Sequence, residues 1–195
     1  MPIFTITFCS VIFIIYILDN FMIIPKTETV TLKEKLLTGH NKGYINQALH
    51  LSEKKIKKGQ VWRLVSSALL HVGTLHIVSN IAATLIVGYA VESQLGWAKT
   101  AFCYIGSALI SGLYMAFVYK LHEGEGASTG IYGLIAVFVM LAVKNGTVLF
   151  SPVPVTALII LAIYIIGGMF MGKATVWEHI SGFAGGLLMG LFLLF

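Results

Sequence analysis

Along the chain, long uncharged apolar runs alternate with short charged clusters, the pattern of successive bilayer crossings joined by loops. Roughly 20 apolar residues suffice to cross the hydrocarbon core. Six runs approach that length, near residues 3–23, 74–93, 98–119, 128–144, 153–171 and 177–195. The expected fold is all-α: a polytopic bundle of six transmembrane helices forming a single membrane domain over residues 1–195, with both termini on one side. Short connections at Glu92–Lys99, Lys120–Ala127, Lys144–Pro154 and Gly172–Val176 predict antiparallel neighbours. Pro152 and Pro154 stand just ahead of the fifth span, where a missing backbone donor is tolerated.

The one long connection, residues 25–73, changes character along its length. It is polar and basic as far as Lys58, then uncharged and apolar from beyond Trp62 and Arg63 through Leu70. Its second half is therefore expected to be partly membrane-embedded. Residues 1–24 lack a basic leading segment and a small-residue cleavage site before Pro25, so they are expected to persist as the first span.

Composition strengthens this picture: 57% of residues are hydrophobic and 11% charged, against about 45–50% and 25% in soluble domains. A water-soluble surface cannot be built from that. The formal charge of +5 does not point to nucleic acid, because many of the lysines lie between Lys26 and Lys58, beside an apolar span. Anionic membrane lipids are the expected partner. Cys9 and Cys103 lie inside apolar runs and read as small buried hydrophobes.

Polar and ionisable side chains within spans are costly and mark function by default. His76 and Asn80, four residues apart, share one helix face and make it polar. Taken alone, the pair fits hydrogen bonding between helices equally well. Ser128 opens the fourth span within Gly126-Ala127-Ser128-Thr129-Gly130-Ile131-Tyr132-Gly133. There, small neighbours admit close approach and unpaired helix N–H groups lie beside the hydroxyl; an isolated serine in that place would more often be an N-cap. His179, at the start of the sixth span, precedes Gly182, Gly186 and Gly190, a stripe against which another helix can pack closely.

These motifs in this order resemble the rhomboid family of intramembrane serine proteases, over nearly all of the chain after Trp62. The resemblance rests on Trp62-Arg63, His71, His76-x-x-x-Asn80, Glu92, Gly126-x-Ser128 and His179 with its glycine tail. It implies a rhomboid-like bundle in a bacterial inner membrane, with the site opening externally. Ser128 would be the nucleophile and His179 the general base, with no acidic third member. His76, Asn80 and the Ser128 amide would form the oxyanion hole, and Tyr132 would pack on His179. Gly126, Gly182 and Gly186 would support the site. Trp62, Arg63, Ser67, His71 and Glu92 would be structural or organise water. The implied substrates are transmembrane helices of other proteins, unwound locally at the cut, and no cofactor is implied. The fifth span and the loop after it, with Gly167, Gly168 and Gly172, would govern access. Packing alone explains those three glycines as well.

Two residues depart from the commonest family pattern: Thr129 follows the serine, and Glu178 sets a carboxylate beside the base. Charge also conflicts with the implied orientation, since 11 of the 13 Lys and Arg fall on the long loop or its same-side partners, a bias that favours the cytoplasm. Among alternatives, the sequence has no His-Glu-x-x-His zinc motif and a single aspartate, Asp19, which cannot form an aspartyl pair. A metal or haem held by His71, His76 and His179 leaves Ser128 without a role. A transporter is disfavoured because the polar residues gather toward one membrane face. The main competing reading is a catalytically silent relative that binds transmembrane helices.

Overall fold

The computed structural model describes residues 1–22, 43–146 and 155–194. Pro152, Pro154 and much of the basic first half of the long loop lie outside the described residues. Among the described residues six long helices carry the fold: α1 (Ile3–Phe21), α2 (Thr74–Leu95), α3 (Trp97–Tyr119), α4 (Ser128–Lys144), α5 (Val155–Met169) and α6 (Lys173–Leu194). No strand occurs among the described residues, and the all-α polytopic expectation holds.

Local chemistry sets the boundaries. Gly73, at φ 89°, precedes α2, and Gly96, at φ 77°, separates α2 from α3. The connection expected over Glu92–Lys99 thus contracts to one glycine, because a left-handed residue can end one helix and begin the next. Another difference is at α6, which begins at Lys173 and not at 177, directly after Gly172 at φ 107°. This places His179 in its second turn.

Lengths divide the helices. Four are long and apolar enough to cross a membrane, whereas α4 and α5 have 17 and 15 residues. At 1.5 Å per residue, 17 residues rise about 25 Å, short of a hydrocarbon core about 30 Å thick. Ser128 stands at one end of this short helix. α4 is buried almost all round, with Ile131, Leu134, Ala136 and Val137 inaccessible, which is how a helix apolar on every face is accommodated. It packs chiefly against α6 and α3. Gly182 and Gly186 of α6 face the backbone of Thr129 and Gly133, so the two helices meet main chain to main chain.

The second half of the long loop is helical at Arg63–Ser66 and continues as a 3₁₀ turn over Ser67–Leu69. Leu64, Ala68 and Leu70 are buried, and the Leu64 backbone lies against Gly112 of α3. This segment is thus packed into the protein and is not a solvated linker. Arg63, itself buried, donates from Nε to Gln60 Oε1 (2.7 Å), from Nη1 to His50 O (2.8 Å) and from Nη2 to Gln47 O (3.2 Å). It stitches the loop to itself. Trp62 is exposed.

Glu92 joins distant parts of the chain. Its carboxylate accepts from Phe4 N (2.9 Å), Thr5 N (2.9 Å) and Thr5 Oγ1 (2.7 Å). Two backbone donors in the first turn of α1, which lack intrahelical partners, are satisfied by an anion at the positive end of the helix dipole.

Candidate active site

Ser128, His179, His76, Asn80, Ser79, Glu125, Tyr164, Gly168 and Glu178 line one cavity of about 280 Å³, walled by α2, α4, α5 and α6. Residues from four helices and about a hundred positions apart in sequence converge there.

Each is placed by its own local structure. Ala127, not Ser128, is the residue capping α4, and it makes no side-chain capping bond. Ser128 is the first helical residue. Its hydroxyl is free of a capping role, and its N–H belongs to the first turn, where no intrahelical acceptor exists. Gly126, at φ 139°, lets the chain turn into the helix. A Cβ there would lie 3.0 Å from the His76 imidazole and 3.6 Å from Ser128 Oγ, so the position needs glycine for both conformation and space. Beneath this loop, Tyr104 Oη donates to Ala127 O (3.2 Å) and Ala68 O (3.4 Å). Gly126 N donates to Ser67 O (3.0 Å), and Leu51 pairs with Gly124 through both backbone bonds. The turn is held from three sides.

His179 is buried, and its ring stacks on Tyr132, with centroids 4.0 Å apart and planes 11° from parallel. Tyr132 lies one helical turn after Ser128, so stacking on it brings His179 to the serine's side of α4. Among the described residues no carboxylate bonds to His179, and no hydrogen bond yet joins it to Ser128 Oγ. Such bonds are often long before substrate binds. On the opposite wall, Gly168 of α5 brings backbone against the pair: a Cβ there would stand 2.7 Å from His179 Cε1 and from Tyr132 Oη.

Asn80 is wholly buried, and its Nδ2 has no partner among the described residues. Its Oδ1 accepts from Tyr164 Oη at 2.7 Å. An unpaired buried donor is costly, and this one borders the cavity that holds Ser128. His76 lies beside it on α2, its ring 5.1 Å from that of His71. His71 itself lies behind the Gly126–Ser128 turn, where its Nε2 accepts from Ala127 N at 3.4 Å.

The structure therefore brings together Ser128, His179, His76, Asn80, Tyr132 and Gly126. Arg63 and Glu92 lie away from the cavity in supporting contacts, and Trp62 is on the surface. Gly182 and Gly186 act one step back, through the α4–α6 packing. The sequence reading missed Tyr164 and Glu125. Tyr164 is the one polar side chain between Ala157 and Phe170, a signal that could have found it. Glu125 sits in a polar loop, where a charge draws no notice. The fifth-span glycines also separate: Gly168 is a close approach, Gly167 faces open space, and Gly172 serves the backbone turn before α6. Three or more His, Cys, Asp or Glu arranged to hold a metal do not occur among the described residues.

Comparison with known proteins gives a family for the chain. Residues 58–195 match the family model for the Rhomboid domain. RHOMBOID-like protein 4 of Arabidopsis thaliana is 31% identical over 147 residues, covering 74% of this chain and 37% of the relative. Rhomboid protease GluP of Bacillus subtilis is 28% identical over 131 residues, 67% of this chain and 26% of that protein. Putative rhomboid protease YdcA of Bacillus subtilis is 25% identical over 162 residues, covering 83% and 75%. The chain spans about half or less of the length of several of these relatives.

Proposed function

Because the chain belongs to the rhomboid family and is a multi-pass membrane protein, we propose that it is an intramembrane serine endopeptidase cutting transmembrane segments of other proteins. The observation that carries the reading is the single cavity lined by Ser128, His179, His76 and Asn80, with the Tyr132 ring stacked on His179. A catalytically silent relative has no need of that constellation.

In this reading His179 takes the proton of Ser128 as Oγ attacks a peptide carbonyl. The tetrahedral oxyanion is received by the Ser128 N–H, Asn80 Nδ2 and His76. Each such donor is typically worth about 10²- to 10³-fold in rate. His179 then delivers its proton to the departing amine, leaving an acyl-enzyme that water hydrolyses as His179 again acts as base. Tyr132 does by stacking what a carboxylate does in a triad: it fixes the plane of the imidazole. The substrate helix unwinds at the cut, because a helical carbonyl is already hydrogen-bonded within its own chain.

Cleavage of a fluorogenic transmembrane reporter in proteoliposomes tests this. Cleavage by the unmodified protein but not by Ser128→Ala or His179→Ala is expected. Equal behaviour of all three, once folding is verified, would transfer the protein to the helix-binding class. We also propose residence in a bacterial inner membrane, with the cavity opening externally. An impermeant thiol reagent that reached a cysteine introduced at Gly124 only from the cytoplasmic side would reverse that orientation.

A further inference from the structure

Asn80 presents one acceptor and two donors on its amide, and the two ends differ little in shape. Which end faces Ser128 decides whether the residue helps or opposes an oxyanion. The one side-chain partner of this amide among the described residues is Tyr164, whose Oη lies 2.7 Å from Oδ1. With the phenol O–H donating to Oδ1, Nδ2 is left facing the cavity without a partner, on a wholly buried side chain. The reverse amide would aim Oδ1 at the substrate carbonyl and repel it.

The bond also crosses between helices, from α5 to α2. The neighbouring residue of α5, Ile165, accepts at its carbonyl from Tyr132 Oη (3.3 Å). Consecutive residues of α5 thus contact the side chain beside the nucleophile and the side chain on which His179 stacks. Resting on the protease reading above, we propose that Tyr164 is a positioning residue for the oxyanion hole. Its phenol holds the Asn80 amide donor-inward, and only while α5 is seated against α2.

Tyr164→Phe removes the hydroxyl and keeps the ring, so packing is retained; thermal unfolding checks this. With the transmembrane reporter in proteoliposomes, kcat is expected to fall about 3- to 10-fold, the worth of one hydrogen bond, with KM within about twofold. In an Asn80→Ala background the same substitution should have no further effect, because there is no amide left to orient. An unchanged kcat in Tyr164→Phe, or the same fold-loss in both backgrounds, overturns the proposal. A loss confined to KM would make Tyr164 a substrate contact and would overturn it too. Labelling of Ser128 by a fluorophosphonate, compared with Ser128→Ala, separates the two levels. If neither labelling nor cleavage depends on Ser128, the protease reading falls and takes this inference with it. If both depend on Ser128 while Tyr164→Phe is silent, only the positioning role falls.

Discussion

Gly182→Ala tests how the proposed Ser128–His179 pair is held together. Gly182 lies three residues after His179 on α6, and the atoms facing it belong to the backbone of Thr129, the residue after Ser128. A Cβ at 182 would lie 2.3 Å from Thr129 O, 2.9 Å from its carbonyl carbon and 3.0 Å from its Cα. Ordinary contact begins at 3.4 Å, so the closest approach is 1.1 Å short. Main-chain atoms inside α4 cannot rotate away. α6 must therefore move off α4 by about an ångström, one turn from the proposed catalytic pair. Overpacking of this kind costs about 1–3 kcal/mol of stability, whereas misplacing reacting groups by about 1 Å costs about 100-fold in rate. Activity should thus fall well beyond what the lost stability explains.

The matched control is Gly190→Ala on the same stripe. There the closest atom, at 2.5 Å, is Met140 Sδ, part of a flexible side chain, and Val137 Cγ2 lies at 3.7 Å. Met140 can swing aside, so the rate should stay within about twofold. Both variants are assayed by reporter cleavage in proteoliposomes and by thermal unfolding in detergent. A folded Gly182→Ala protein that cleaves within twofold of the unmodified one would show that the close α4–α6 approach does not set the position of His179. So would an equal loss in Gly190→Ala, which would make the stripe a general packing feature with no special tie to the dyad.

Replacing Glu92 by Ala strands two N–H groups and a hydroxyl in the first turn of α1 and should cost on the order of 2–3 kcal/mol, read as a lower unfolding temperature; an unchanged midpoint would dismiss the cap. Arg63→Lys keeps the charge but cannot reproduce three differently directed bonds, so limited proteolysis between 50 and 63 should accelerate. Tyr132→Phe keeps the stack on His179 and should retain most of the activity. Tyr132→Ala, which leaves the imidazole unsupported, should lose about 10-fold or more, and similar rates in the two variants would exclude stacking as the orienting device.

What the sequence displayed of this arrangement follows from where polar groups are expensive. Ser128, His179, His76 and Asn80 interrupt apolar runs, so each stands out in the sequence as a costly polar group. The ends of α4 were legible as well, since glycines precede it and Lys144-Asn145-Gly146 follows it. The role of Glu92 was not, because its partners on α1 are more than eighty positions away and no local pattern encodes such a contact. Gly167 and Gly168 are adjacent and chemically identical and both line the cavity, yet only Gly168 brings its backbone against His179 and Tyr132, a distinction made by the rotation of α5. Tyr164 stayed hidden because an amphipathic ring in an apolar span reads equally well as facing lipid.

The same contacts divide the bundle into two mechanical parts. α4 and α6 meet through glycines, backbone to backbone, and Ser111 Oγ pairs with Ser181 Oγ at 2.8 Å to tie α3 to α6. This half bears both proposed catalytic side chains and has little freedom to separate, since close-packed main chain deforms in discrete steps. By contrast, α5 leaves Ile159, Ile160, Ile163, Ile166 and Met169 exposed, and among the described residues its hydrogen bonds to the rest of the site are those of Tyr164 and Ile165. Two neutral hydrogen bonds are worth about 1–3 kcal/mol net, and the burial of Leu161 with the packing of Tyr164 and Ile165 against the core adds to them. α5 also lays Gly168 against His179 and Tyr132 and accepts from Tyr132 Oη at Ile165 O, so the seating of α5 bears on the imidazole stack as well as on Asn80. Under the positioning role proposed for Tyr164, any displacement of α5 would release the Asn80 amide too, so the one hydrogen bond from Tyr164 Oη to Asn80 Oδ1 ties the seating of the fifth helix to the orientation of that donor.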